Sequence, residues 1–159
     1  MQFAQFTIST LALVFTLFVS TVQAAKYPVR SGVKQSGIAT WFDGGHLTGA
    51  ACYGVLLDQD VNARDSWHIA AIKMSAYDGG LRKACFQCVK VTSKKTKRSI
   101  IARVIDDCSS CKSKHVDLTT TAFKALAHPL KDGVVDISYE FVRCPSSGKW
   151  PKNPPVKKL

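Results

Sequence analysis

Six cysteines constrain this chain more than anything else in it: Cys52, Cys85, Cys88, Cys108, Cys111 and Cys144. Cys85-Phe-Gln-Cys88 and Cys108-Ser-Ser-Cys111, separated by residues 89–107, have the spacing of a zinc ribbon. Whether such cysteines hold metal or pair with one another depends on compartment. The first charged side chain is Lys26, and the apolar run "TISTLALVFTLFVSTVQA" ends in small residues. That is the pattern of a secretory signal peptide over 1–24, cleaved after Val22-Gln23-Ala24. It departs from the pattern in having no Lys or Arg at its start, and the uncharged stretch is long enough for a membrane anchor. The small-residue end favours cleavage. A secreted chain enters an oxidising environment, and a zinc ribbon leaves Cys52 and Cys144 unused. Three disulfides are therefore expected, with no metal and no cofactor. Each contributes about 2–4 kcal/mol. Sequence alone does not choose among the possible pairings.

A chain of 159 residues fits one domain. All 22 basic and 11 acidic residues follow the leader, so the secreted part keeps the full charge of +11. Such a charge opposes self-association, in keeping with a monomer, and favours anionic surfaces without naming one.

Residues 25–35 read as a polar lead-in. Strand patterns follow. "ATWF" is rich in strand formers, and "CVKVTS" alternates Val89 and Val91 with Lys90 and Thr92. "SIIARVI" is an apolar run interrupted by Arg103, and "VDISYEF" alternates Val135, Ile137, Tyr139 and Phe141 with polar residues. "KKTKR", residues 94–98, reads as a solvated hairpin turn in preference to a nucleic-acid patch, so no nucleic-acid partner is expected. A helix is expected to start within Thr119-Thr120-Thr121, where threonine can cap it, with Phe123, Leu126 and Ala127 on one face and Pro129 stopping it. A second short helix is possible around residues 73–78. The tail at 145–159 holds four of the six prolines and four lysines, and reads as flexible. Several short strands with one or two short helices suggest a small barrel or sandwich.

The ordered motifs add a resemblance. They are Gly37-Ile-Ala-Thr-Trp-Phe42, Gly49-Ala-Ala-Cys52-Tyr-Gly54, the Cys85/Cys88 pair, Val104-Ile-Asp-Asp-Cys-Ser-Ser-Cys111, and His115-Val-Asp-Leu-Thr119. In that order the chain resembles the expansins, barwin-like proteins and rare lipoprotein A, and most of all the single-domain loosenins. The likeness covers about residues 36–144. It implies a mainly β fold, a disulfide-stapled six-stranded double-psi β-barrel. It also implies the bridges Cys52–Cys85, Cys88–Cys144 and Cys108–Cys111. The family's H-F-D-L-S segment matches His115 to Thr119, so Asp117 inherits the role of the key acidic residue. Asp106 and Thr40 match the two other polar groove positions.

Departures accompany the likeness. The flat aromatic second domain of expansins has no counterpart in the pattern, so grip is expected from the barrel groove or the basic surface. The family's G-A-C-G is opened to Ala51-Cys52-Tyr53-Gly54, and Asp107 stands where a tyrosine is usual.

The resemblance implies a secreted, extracellular protein that binds structural polysaccharide such as cellulose or chitin and loosens its packing without hydrolysis. Its partner would be a wall glycan, with no membrane once the leader is removed. Two rivals share the barrel: a glycan hydrolase or lytic transglycosylase, and a protease inhibitor. Glycosidases need two carboxylates about 5–9.5 Å apart. Asp117 could be the acid, its charged form made costly by its apolar neighbours, and Asp43 or Asp107 a second carboxylate. The plainer readings are that Asp117 caps the helix after it, that Asp106 holds a turn, and that His115 is a structural hydrogen-bonder. Among Trp41, Phe42, Tyr53, Trp67 and Tyr77, most should be core. Trp41 and Tyr53 are the expected sugar-stacking rings.

Overall fold

The computed structural model describes residues 32–43, 49–57, 66–126 and 128–150. The expected signal peptide, the lead-in before Gly32 and residues 151–159 lie outside the described residues, as does Ala127. Among the described residues no helix is long and apolar enough to cross a membrane.

The strands are β1 (Gln35–Phe42), β2 (Ile69–Ile72), β3 (Cys88–Ser93), β4 (Ser99–Asp107), β5 (His115–Thr119) and β6 (Val135–Val142). They close in the order β1-β5-β2-β4-β3-β6. The fold is the expected six-stranded double-psi β-barrel. Closure pairs every strand on both sides and leaves no edge exposed. Two of the pairings are parallel, β1 with β5 and β2 with β4; the other four are antiparallel.

The alternation read in "VDISYEF" is what builds the core. Val135, Ile137, Tyr139 and Phe141 are buried, and Asp136, Ser138 and Glu140 face outward. Tyr139 reaches across the interior, its hydroxyl 2.8 Å from that of Tyr77 and bonded to Gln35 Oε1 at 3.2 Å. The Tyr77 ring meets Phe141 edge-on, at 5.4 Å between centroids. Tyr77 and Tyr139 therefore keep their polar ends satisfied.

Glycine is required at one crossing. A Cβ on Gly37 would lie 1.9 Å from the Lys114 carbonyl oxygen and 3.2 Å from the Tyr139 ring. There the chain entering β5 passes against β1, and Ile38 N–H donates to that same carbonyl at 3.2 Å. Any larger side chain would push the two segments apart.

"KKTKR" is the turn joining β3 to β4. The expected helix is α3 (Thr120–Ala125), after α1 (Ala51–Leu57) and α2 (Gly80–Ala84). Thr119 stands at its N-cap without capping it by its side chain. Its hydroxyl instead donates to the Trp67 carbonyl at 2.5 Å and accepts from Ile69 N–H at 3.3 Å, tying β5 to β2. Phe123 and Leu126 are buried as expected. The segment expected to be helical near 73–78 is a single 3-10 turn, Met74–Ala76.

Three disulfides staple the barrel. Cys52–Cys85 joins α1 to the end of α2, Cys88–Cys144 joins β3 to the chain after β6, and Cys108–Cys111 closes a short loop between β4 and β5. The first part of the expected flexible tail is tied down. Cys144 is bridged, and the Lys149 carbonyl accepts His68 N–H at 2.5 Å.

Candidate functional site

Parallel pairing of β1 with β5 sets Ile38 opposite His115 and Thr40 opposite Asp117. Directly opposed residues share a face, and neighbours along a strand alternate. Val116 and Leu118 are fully buried in the barrel, so Asp117 between them points the other way. The apolar neighbours that make Asp117 conspicuous in sequence are on the opposite side of the sheet. Its own surroundings are polar.

Thr40 lies at the centre. Its hydroxyl donates to Asp117 Oδ1 and sits 2.7 Å from His115 Nε2. A hydroxyl has one proton to give. While it donates to the carboxylate, it must accept from His115 Nε2–H. The reverse polarity also closes: a protonated Asp117 donates to Thr40, which donates to a bare Nε2. The three groups form a short relay that works in either direction. Burial pushes the Asp117 carboxyl above its ordinary value, a shift the Thr40 hydrogen bond, His115 and the Leu118 backbone oppose and the Asp106 charge reinforces. Burial likewise pulls His115 down, against the attraction of Asp117.

The row continues through β2 to β4. Ala71 pairs with Asp117 on one side and Asp106 on the other. A register shift between Ala70 and Ala71 makes this possible, because Ala70 pairs with Val104 but Ala71 with Asp106. Without that bulge Ile105 would stand opposite Ala71; with it, Ile105 turns into the core. Thr40, Asp117, Ala71 and Asp106 thus lie level across four adjacent strands. Ala71, small and buried, stands between the two carboxylates.

Asp106 is held differently. Its Oδ1 accepts two backbone N–H groups, from Ala51 and from Asp107, both at 2.9 Å. The first fixes the start of α1. Asp107 Oδ1 accepts Met74 N–H at 2.8 Å and so anchors the 3-10 turn. Asp43 follows directly after β1 and is exposed. The sites expected at Asp117 and Thr40 are therefore in direct contact, Asp106 is in line with them, and Asp107 serves the backbone.

The aromatic expectation needs correction. Tyr53 is 2 % exposed. It lies in α1 beside the Cys52–Cys85 bridge, which draws it under Phe86, edge-on at 5.4 Å, so it cannot stack on a sugar. Trp41 is 36 % exposed, with its ring N–H given to the Leu130 carbonyl at 2.8 Å. It pairs with Leu118, however, and so alternates away from the Thr40–Asp117 face. Phe42, opposite Thr119 and half-buried, is the β1 ring that shares that face. Strand register, which a single sequence does not display, was the missing signal. Among the described residues no cluster of three His, Cys, Asp or Glu side chains could hold a metal ion.

Comparison with known proteins agrees with this fold. A double-psi β-barrel family described as lytic transglycolase matches residues 34–139. An expansin of Clavibacter michiganensis superposes with a TM-score of 0.56 at 28 % identity, over 72 % of this chain and 53 % of that one. An Asp-to-Asn variant of that expansin has been solved in complex with cellohexaose. The Streptomyces papain inhibitor superposes with a TM-score of 0.55 at 29 % identity, over 72 % of this chain and 99 % of that one. Putative ripening-related protein 6 of Oryza sativa subsp. japonica is 31 % identical over 75 residues, 45 % of this chain and 44 % of that protein. The chain thus spans about half the length of the expansin and of the rice relative.

Proposed function

This chain belongs to the double-psi β-barrel family described as lytic transglycolase, and from that premise we propose that it is a secreted protein that binds structural polysaccharide and loosens the packing of its chains without cutting them. The observation that carries the reading is the level row of Thr40, Asp117 and Asp106 across the strands, with Ala71 between the two carboxylates. Carboxylate and hydroxyl groups so placed can take sugar hydroxyls in competition with chain-to-chain hydrogen bonds. A net hydrogen bond contributes only about 0.5–1.5 kcal/mol, so several contacts along the row are needed. The cellohexaose complex of the related expansin makes a β-linked glucan the first ligand to try. The barrel domain, 36–144, would act as a monomer outside the cell, where its three disulfides persist.

The non-hydrolytic half of the reading rests on how the two carboxylates at the end of β4 are engaged, Asp43 lying exposed beyond β1. A hydrolase of the ordinary kind needs a second carboxylate as base or nucleophile. Asp106 and Asp107 both accept backbone N–H groups that hold local structure. One rival has a specific observation in its favour: Asp117 with its Thr40–His115 relay could act as a lone acid-base where the sugar's own hydroxyl is the nucleophile, which is transglycosylase chemistry. Protease inhibition is favoured only by the near-complete coverage of the papain inhibitor.

The test is a panel of insoluble glycans treated with the protein and with Asp117→Asn. Weakening of the glycan without soluble sugars, lost in the variant, is expected. Soluble products that vanish in Asp117→Asn would replace loosening by transglycosylation, and tight inhibition of a papain-like protease without glycan binding would replace both.

A further inference from the structure

His128, between α3 and the 3-10 turn Leu130–Asp132, is 4 % exposed and held at both ring nitrogens. Ser93 Oγ lies 2.8 Å from its Nε2, and Asp132 Oδ2 lies 2.9 Å from its Nδ1. Ser93 Oγ also accepts the Thr96 N–H at 3.0 Å, so its own proton goes to Nε2, and Nδ1–H donates to the carboxylate. Serine, imidazole and carboxylate in that order have the connectivity of a nucleophilic triad. Ser93 is fully buried, however, and does not line the cavity that His128 faces. The three groups therefore support that cavity and do not make a nucleophile.

The cavity measures about 540 Å³ and lies where the β3–β4 turn, the Leu130–Asp132 turn and the start of β6 meet. Part of its lining is apolar. Val134 is 56 % exposed, and an imidazole with both nitrogens engaged offers ring carbon. The rest is two cations, Lys94 and Lys95, and two carboxylates, Asp132 and Asp136. Among the described residues neither lysine is ion-paired with either carboxylate. Strand register relates this cavity to the Asp117 row. Ile38 pairs with His115 on one side and with Asp136 on the other, and Lys94 N–H donates to the Asp136 carbonyl at 2.9 Å. Asp136 faces outward on β6, as Thr40 and Asp117 do on their strands. The outer surface thus runs from Thr40 along β1 to Ile38 and across β6 to Lys94, about 12 Å by strand geometry.

We propose, resting on the loosening reading, that this cavity is a second subsite for the same glycan, taking one neutral sugar residue of a chain that also lies on the Thr40–Asp117 row. A sugar ring has an apolar C–H face and an edge of hydroxyls that both donate and accept. Val134 and the imidazole carbons meet the face. The two carboxylates accept hydroxyl protons, and the two ammonium groups donate to hydroxyl oxygens. An acidic sugar would meet Asp132 and Asp136, and an amino sugar would meet Lys94 and Lys95. Only a neutral residue uses both pairs without repulsion. The path from Thr40 past Ile38 and Asp136 is one that an oligosaccharide bridges and a disaccharide does not.

The test is calorimetry of the disulfide-intact protein with cellobiose and cellohexaose, beside Asp136→Ala, Lys95→Ala and Asp117→Asn. Asp136 and Lys95 are exposed, so their substitutions should leave the fold intact. Wild type should bind cellohexaose more tightly than cellobiose. Asp136→Ala and Lys95→Ala should each bind cellohexaose up to roughly tenfold more weakly, the scale of one or two lost hydrogen bonds, with cellobiose unchanged. Asp117→Asn should weaken both sugars. Cellohexaose bound equally by wild type and both cavity variants would overturn the second subsite and leave the loosening reading standing. Cellobiose weakened as far as cellohexaose in the cavity variants would make the cavity the primary site and overturn the extended path. If Asp117→Asn binds both sugars as wild type does, or wild type binds neither, the row itself fails and the subsite falls with it.

Discussion

Asp117 and Asp106 stand on either side of Ala71 at the same level of the barrel, yet among the described residues only Asp117 also has a side-chain partner. Asp117 is met by the Leu118 backbone and by a side chain, the Thr40 hydroxyl and through it the His115 imidazole. Asp106 is met by main chain, the N–H groups of Ala51 and Asp107 on one oxygen. A carboxylate satisfied by backbone amides is part of the scaffold, since its bonds cannot be exchanged without moving the chain. A carboxylate bonded to a hydroxyl that is itself bonded to an imidazole can exchange protons and partners at little structural cost. The same residue type is thus a brace on one side of the alanine and, in the proposed function, the working group on the other.

The comparison breaks most directly at Asp117. Asp117→Asn keeps an oxygen for Thr40 to donate to and removes the charge, so the fold should persist and glycan weakening should drop to background. Thermal denaturation beside a loosening assay checks both halves, and full activity in this variant would remove Asp117 from the site. At Asp106 the loss should fall on stability. Asp106→Ala deprives two amides of their acceptor and unfastens the start of α1, at about 1–2 kcal/mol. That should lower Tm by several degrees, whereas Asp106→Asn, which still offers an oxygen, should lose less. An Asp106→Ala protein as stable as wild type would show that the brace is dispensable. Thr40→Val sharpens the contrast further. It leaves the strand intact but parts His115 from Asp117, so glycan binding should weaken by up to about tenfold. Thr40→Ser should restore most of it, and calorimetry with cellohexaose would show whether it does.

The legible parts of the fold were those whose signal is local. β6 alternates throughout and β3 from Val89 onward, and the Thr119–Thr121 helix start and the charged turn are short-range chemistry. β2 passed unread because Ile69–Ile72 is four apolar residues with no alternation, buried throughout. α1 and α2 are too short to show a helical period. At the site, motif order picked out Thr40, Asp106 and Asp117, but their alignment depends on the bulge at Ala70/Ala71, which exists only because β2 lies between two partners. The choice of Tyr53 failed for the same reason. It is buried beside Cys52, whose bridge reaches Cys85, 33 residues on.

The finest distinction is in pH dependence. Asp117 has a raised pKa, so its protonated form is favoured in the fold. Its contribution to stability is fully present below the ordinary carboxylate value and is lost as pH rises through the folded value. His115 has a lowered pKa, so the fold favours its neutral form. Its contribution is present above the ordinary imidazole value of about 6.5 and is lost as pH falls through the folded value. His68, lowered mainly by burial, acts in the same sense. Between the two ordinary values the carboxylate and the imidazoles therefore pull stability in opposite directions, and the wild-type slope should be shallow. In Asp117→Asn the carboxylate's share disappears. His115 also loses the negative charge that had held its pKa up, so the imidazole share grows. The variant should thus lose Tm toward acid more steeply than wild type from about pH 6.5 down to 4, though the two begin close together at neutral pH. Parallel Tm profiles would mean that Asp117 and His115 titrate independently, and the relay through Thr40 would then be a contact without coupling.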